Sequence, residues 1–180
     1  GTKVLSSLQS GDKLNILYPL GNSFTTKDVK RPLLIGGGCG IAPLLFLAKS
    51  FVQNNIEPTV LAGAQTAAAL SWTANYDNRI HIRPITDDGS LGETGLITEH
   101  SLLKDLSRFD RMYTCGPEIM MKAIAKLADR NNIPCEVSLE NTMACGIGAC
   151  LCCVTETVQG NRCVCTDGPI FDIHDLKSFI

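Results

Sequence analysis

Between Arg31 and Leu139 short apolar runs alternate with segments of helical length, and this alternation leaves the chain very few folds to choose from. Pro32-Leu-Leu-Ile35 reads as a short buried strand. A glycine turn then opens a helix from about Ala42 to Asn54, with Leu45, Ala48 and Val52 on one face. Pro58–Ala62 and Ile80–Ile85 are further strands, separated by a helix over Ala67–Ala74. Thr98 is placed to cap a helix running to Leu106, and Arg111–Thr114 is a fourth strand. Pro117 suits the first turn of the next helix, to about Arg130, because its missing N–H would be unpaired there anyway. Cys135–Leu139 is a fifth strand. Strands alternating with helices in this way imply an α/β fold, a parallel sheet with helices on both faces.

The flanks read differently. Gly1 to Phe24 is a strand tail with turns, in which Leu14–Tyr18 is a short apolar run, and it is too short to make a domain alone. From Asn141 the chain becomes rich in glycine and cysteine, with short strands near Cys153–Thr157 and Arg162–Cys165, which predicts a small second domain. The expected divisions are residues 1–28, 29–140 and 141–180. The chain begins at Gly1 without a methionine, so a fragment or processed chain lacking an upstream part is expected.

Within the last division stands Cys145-Gly-Ile-Gly-Ala-Cys150-Leu-Cys152-Cys153, with Cys163 and Cys165 further on. A C-x4-C-x2-C spacing with one more cysteine downstream is the pattern by which plant-type ferredoxins hold a [2Fe–2S] cluster. Gly146 and Gly148 would let the loop curl and aim its N–H groups at the sulfurs. Cys145, Cys150 and Cys153 fit the spacing. Cys152 is expected to be a bystander, because adjacent side chains diverge. Cys163 would share a strand face with Cys165 and rivals it for the fourth position. Zinc is the competing reading, but zinc sites usually show two separated C-x2-C pairs or added histidines.

Composition agrees with a globular chain and narrows its class. Of 180 residues, 44% are apolar and 19% charged, and the net charge of −2 comes without a long basic run, so neither a nucleic-acid nor an anionic-membrane surface is expected. No apolar stretch approaches the about 20 residues of a membrane span, and no signal peptide opens the chain. Nine cysteines in such a chain point to metal binding in the cytoplasm rather than to disulfides.

Three other constellations carry possible chemistry. Gly36-Gly37-Gly38-Cys39-Gly40 lies between a strand and a helix, where glycines would let the backbone approach a dinucleotide pyrophosphate; a plain tight turn is the alternative. Thr114-Cys115-Gly116-Pro117 ends the fourth strand, where a thiol can lie beside a planar ring or simply be buried before a turn. Asp87 and Asp88 come after the third strand and suit either a ribose or a self-sufficient turn. His81, His100 and His174 make no ligand spacing, and Trp72, Cys39 and Cys135 read as packing residues. No set of nucleophile, base and orienter stands out, so no catalytic residue is assigned.

Taken in order, Gly1-Thr2, Gly11-Asp12, Pro19-Leu-Gly-Asn-Ser-Phe24, Gly36–Pro43, Thr86–Ser90, Cys115–Pro117, Met143–Cys150 and Cys165–Pro169 resemble the electron-transfer subunits of heteromeric, NAD-dependent bacterial dihydroorotate dehydrogenase, within the ferredoxin-reductase superfamily. The resemblance implies the remnant of an FAD-binding β-barrel, a ferredoxin-reductase-like NAD-binding α/β domain and a C-terminal [2Fe–2S] domain. By the same resemblance the ligands are Cys145, Cys150, Cys153 and Cys165, Gly1 and Thr2 contribute to an FAD site that is incomplete in this chain, and NAD lies near Gly38, Gly40 and Cys115. The implied partner is an FMN-containing catalytic subunit that oxidises dihydroorotate in pyrimidine biosynthesis, in a heterotetramer of two subunits of each kind.

The chain departs from the family pattern at Tyr18, where a glycine commonly precedes Pro-Leu-Gly, and at Cys152, which replaces a common glycine. It also resembles the small subunit of NADH-dependent ferredoxin:NADP oxidoreductase, which usually has an aspartate where this chain has Cys145. A zinc-stabilised binding module without redox activity is the reading from another class.

Overall fold

The computed structural model describes residues 2–180, except for the side chains of Thr2 and Asn75. Gly1 and the side chain of Thr2, both expected at a flavin, therefore lie outside the described residues. A short helix α1 (Thr2–Leu5) is followed by β1 (Pro32–Gly37), α2 (Ile41–Gln53), β2 (Thr59–Ala64), β3 (His81–Thr86), β4 (Glu93–Thr94), β5 (Arg111–Cys115), α3 (Glu118–Arg130) and β6 (Cys135–Ser138). The last quarter adds β7 (Val154–Thr157), β8 (Gly160–Cys163) and β9 (Ile170–Asp172).

The main sheet runs β4-β3-β2-β1-β5-β6-β9. All its pairings are parallel except β6 with β9. Leu33, Leu34 and Ile35 are wholly buried, and a parallel strand covered on both faces must be apolar in this continuous way. Leu34 joins the core under α2 with Val60, Ala62 and Tyr113. Leu33 and Ile35 join the opposite core under α3 with Leu61, Met112 and Val137. Each such aliphatic side chain contributes about 1.5–3 kcal/mol by leaving water. β7 and β8 form a separate antiparallel hairpin.

Several expectations need correction. The buried face of α2 is Leu44, Leu47, Ala48, Phe51 and Val52, a complete i, i+3, i+4 stripe, whereas Leu45 is only partly covered. Pro117 caps α3 from outside with ψ 135° rather than sitting in its first turn. Residues 67–75 wind as a 3-10 helix in which Leu70 is the buried apolar anchor, so no stripe at helical spacing exists to hold an α-helix against the sheet. The expected helix from Thr98 to Leu106 is two 3-10 turns, Ile97–Glu99 and Ser101–Lys104. His100 breaks them with extended ψ and accepts the N–H of Leu102 on its own Nδ1 at 2.9 Å, so His100 and not Thr98 supplies a cap.

The apolar run Leu14–Tyr18 forms no strand and stays exposed. Beyond it, residues 22–25 form a strap. The amide of Asn22 donates to the carbonyls of Asp167 and Ile170 at 3.0 and 2.8 Å and accepts the N–H of Ile170 at 2.9 Å. Next to it, Thr25 donates its N–H to Glu136 at 2.9 Å and accepts the Tyr113 hydroxyl at 2.6 Å. Glu136 in turn pairs with Arg111 at 3.2 Å. The Asn22 cap holds the loop between β8 and β9, and hence Cys165, against the N-terminal segment.

At the other side of that segment, exposed His174 stands between Asp129 of α3 and Asp172 of β9, 3.0 Å from each. The two carboxylates raise its pKa.

Asn22→Ala removes three hydrogen bonds at a solvent-accessible site and is expected to cost about 1–3 kcal/mol, read as a lower midpoint in urea unfolding. The His174 contribution is complete below the unfolded histidine value of about 6.5 and is lost as pH rises through the raised folded value. His174→Gln should flatten that slope in stability measured across neutral pH.

Candidate functional site

Two sites form at the edges of this sheet. The first is where the chain leaves β1 and β5 in opposite directions, the crevice in which open α/β sheets bind ligands. A cleft of about 600 Å3 opens there, floored by Gly37 and Gly38, with Gly63–Thr66 and Asp87 on one side and Pro117, Met120 and Ala123 of α3 on the other. Gly38 has φ +57°, and a Cβ built on it would meet nothing within 4 Å, so its bare backbone faces open space.

The other expected glycines serve the walls. A Cβ on Gly40 would lie 2.5 Å from the Cys115 carbonyl oxygen, one on Gly116 (φ +147°) 2.9 Å from that of Gly37, and one on Gly36 2.8 Å from the Cα of Ile41. The first two contacts press the β1 and β5 ends together, and the third seats the start of α2 on β1.

Asp87 lines the cleft, while Asp88 turns back to accept the N–H and hydroxyl of Ser90, bonds that lower its pKa. Cys115 is partly buried behind the cleft wall; burial raises its pKa against a hydrogen bond with Ser138. Cys39 is exposed at the turn, so it is not the packing residue expected, whereas Cys135 is buried in the α3 core. Sequence reasoning missed Gly63-Ala-Gln-Thr66 and Gly95-Leu-Ile-Thr98, which line the cleft from two further strand ends. A glycine beside each strand's end, Gly63 in β2 and Gly95 after β4, was the available signal.

The second site is the thiol loop, residues 145–165. Gly146 and Gly148 have φ of +72° and +75°, and Leu151 has +56°. A leucine in this region costs about 1–2 kcal/mol, so surrounding contacts must impose the conformation. The curl turns N–H groups onto sulfur. Ile147 and Cys150 both donate to Cys145 Sγ at 3.4 Å, Gly148 to Cys165 Sγ at 3.2 Å and Cys165 to Cys153 Sγ at 3.4 Å. The two donors bring Cys145 down to about 6. The N–H of Cys165, with its thiol, also lowers Cys153.

Two of these donors are themselves cysteines of the motif: Cys150 gives its N–H to Cys145, and Cys165 to Cys153. Cys153 and Cys165 are buried, while Cys150 and Cys152 are exposed. Cys163 directs its sulfur at the Gly148 carbonyl oxygen at 3.9 Å, an arrangement that keeps the proton on sulfur. Among the described residues no three His, Cys, Asp or Glu side chains gather around the position of one metal ion. Sulfurs that accept backbone N–H groups fit thiolate ligands of an iron–sulfur group, whose charge such donors offset.

Known proteins match the segments in which both sites lie. Residues 34–126 match the oxidoreductase NAD-binding domain, and residues 140–177 match the iron-sulfur cluster binding domain of dihydroorotate dehydrogenase B. The dihydroorotate dehydrogenase B (NAD(+)) electron transfer subunit of Clostridium acetobutylicum is 38% identical over 95% of this chain and 68% of its own length. The probable electron transfer subunit of Methanocaldococcus jannaschii is 39% identical over 98% of this chain and 68% of its own. Among solved structures, one of the NADH-dependent reduced ferredoxin-NADP oxidoreductase superposes with a TM-score of 0.80 at 31% identity, covering 98% of this chain and 64% of that one. With a ferredoxin-reductase-like sheet, the NAD-binding match and the cluster-binding match in one chain, the protein belongs to the family of dihydroorotate dehydrogenase B electron transfer subunits.

Proposed function

We propose that this chain is an oxidoreductase subunit that carries electrons between a dihydroorotate dehydrogenase catalytic subunit and NAD, in pyrimidine biosynthesis. The observation that carries the reading is the set of backbone N–H groups that the loop turns onto three of the four expected ligand sulfurs, Cys145, Cys153 and Cys165. Cys145, Cys150, Cys153 and Cys165 are assigned as ligands of a [2Fe–2S] cluster. Cys165 is preferred to Cys163 because a sulfur that receives an N–H bears negative charge more easily than one facing a carbonyl oxygen. When bound, the cluster supplies single-electron transfer and FAD mediates between that and the hydride of the nicotinamide.

The chain's own residues bind and shield. Gly38 lets a pyrophosphate lie against the backbone, and Asp87 is assigned to a ribose hydroxyl. Ile97, Met120 and Ala123 line the cleft with apolar surface against water. Gly36, Gly37, Gly40 and Gly116 hold the loop ends close enough to form the floor, Asp88 braces the turn that presents Asp87, and Cys115 stands behind the wall beside the ring site.

Residues 1–28 are assigned to the end of an FAD-binding barrel, with Gly1 and Thr2 at the flavin, residues 29–140 to the NAD-binding domain and residues 141–180 to the cluster domain. Exposed Leu14, Ile16, Leu17 and Tyr18 support the first assignment, since they offer apolar surface for more of such a barrel to cover. The catalytic partner is taken to hold FMN, in a complex of two subunits of each kind. Among the described residues no helix is long and apolar enough to cross a membrane, and nine free thiols suit a reducing cytoplasm. The superposition with the ferredoxin-NADP oxidoreductase favours that enzyme's small subunit as the second reading, and Cys145, in place of its usual aspartate, weighs against it.

Visible absorption together with a paramagnetic resonance signal on reduction tests the cluster; a colourless chain with stoichiometric zinc would overturn it. Cys150→Ser should abolish the signal and Cys152→Ser spare it, and equal loss in both would refute the ligand set. Gly38→Val should weaken NADH binding at least about tenfold, or about 1.4 kcal/mol, in a fluorescence titration, with the cluster absorbance unchanged.

A further inference from the structure

His100 is buried, its side chain only 6% exposed, at the joint between the 3-10 turns Ile97–Glu99 and Ser101–Lys104. The first of these turns belongs to the Gly95–Thr98 wall of the cleft. One residue holds both turns. Its N–H donates to the Ile97 carbonyl at 3.4 Å, its carbonyl accepts the N–H of Leu103 at 3.0 Å, and its ring Nδ1 accepts the N–H of Leu102 at 2.9 Å. The wall has little slack to absorb a change at this joint. Ile97 lies so close to β2 that a Cβ on Gly63 would come within 2.9 Å of its Cδ1, and Glu99 reaches back to accept the N–H of Leu96 at 2.9 Å.

An Nδ1 that accepts an N–H carries no proton, so the ring is neutral and its single proton sits on Nε2. That nitrogen faces Glu93 of β4 at 3.5 Å, and the Glu93 carboxylate is already engaged by the N–H and hydroxyl of Ser101. Arg83 of β3 is the other charged group that acts on the ring, while Lys104 acts on Glu93. β2 has no titratable side chain, and the core that these turns share with α3 is apolar. Burial holds the ring's pKa below the ordinary histidine value, opposed by Glu93 and helped by Arg83. A second proton would go to Nδ1 and set it against the Leu102 N–H, two donors 2.9 Å apart, so the ring or the second turn would have to move.

We propose that His100 is a positioning residue of the dinucleotide site: its neutral ring holds the Gly95–Thr98 wall in its binding shape, and a second proton on the ring releases that wall. The inference rests on the reading that the cleft takes NAD. The proton comes from solvent, the Leu102 N–H loses its acceptor, and no electron moves. Binding is therefore complete above the ordinary histidine value of about 6.5 and is lost as pH falls through the lowered value of His100.

The test measures NAD+ binding to the full chain by calorimetry from about pH 8 to about pH 5, across the histidine range, with circular dichroism reporting folding at each pH. NAD+ is chosen because NADH decays in acid. Wild type should lose about fivefold in affinity over this range, the scale of one lost helix cap. His100→Asn should match wild type at the upper end and stay flat, because its side-chain oxygen can accept the Leu102 N–H without titrating. His100→Leu should be about fivefold weaker already at the upper end, and flat. A wild type that binds equally throughout would overturn the proposal, as would a His100→Asn protein that is weakened at the upper end or falls as wild type does, or a His100→Leu protein that matches wild type there. Where His100→Leu does not fold, wild type and His100→Asn decide alone. Wild type that binds no NAD+ at any pH would instead remove the NAD reading itself, so the two failures are distinguishable.

Discussion

The position of β1 governs the rest of the molecule. With Leu33, Leu34 and Ile35 wholly buried, the strand must have a partner on each edge and a layer on each face. The crossover through α2 goes to β2 on one side, and β5 fills the other. Since the chain leaves β1 and β5 in opposite directions, their ends cannot be closed by a common loop, and a crevice is left between them. The glycines that end and follow β1 are a result of that geometry: Gly36, Gly37 and Gly40 are needed because backbone meets backbone or a buried side chain, and Gly38 remains to face the space so created.

The thiol loop obeys a different constraint, the cost of gathering negative charge. Thiolates in proximity repel, and the protein answers with backbone N–H groups rather than with lysine or arginine. Such donors are only available if the chain turns through left-handed conformations. Gly146 and Gly148 enter these freely, and Leu151 is forced into one. The same loop discriminates among its cysteines by the end of the peptide each meets, N–H for Cys165 and carbonyl for Cys163.

How much of this was legible in the sequence depended on how local the cause was. The parallel strands and α2 and α3 could be read from short apolar runs and helix-length segments, and Gly146 and Gly148 from the spacing of the cysteines. The 3-10 winding of residues 67–75 could not, because it reflects the lack of an apolar stripe where composition alone favours helix. On α2 the expected Ala48 and Val52 are buried, but Leu45 stood in for Leu44, because both are leucine and only packing in the core with Leu34 and Val60 distinguishes them. Asn22 lies in a motif that sequence reasoning singled out without finding its role, since its partners are 145 and 148 residues away. Gln65 and Thr66 carried no chemical signature, and the sheet alone brings them to the cleft.

β9 escaped notice for the same reason, being three residues long and paired only after a long excursion. Its pairing with β6 has a consequence for the fate of the chain in solution. Without β9 the sheet would end in β6, a strand of four buried residues with a row of unsatisfied peptide groups, which is a template on which another molecule's strand can add. The segment that carries the thiols is therefore also the guard of an open margin. Loosening it by proteolysis, or by loss of whatever the thiols hold, would expose that margin and turn a defect in redox loading into self-association.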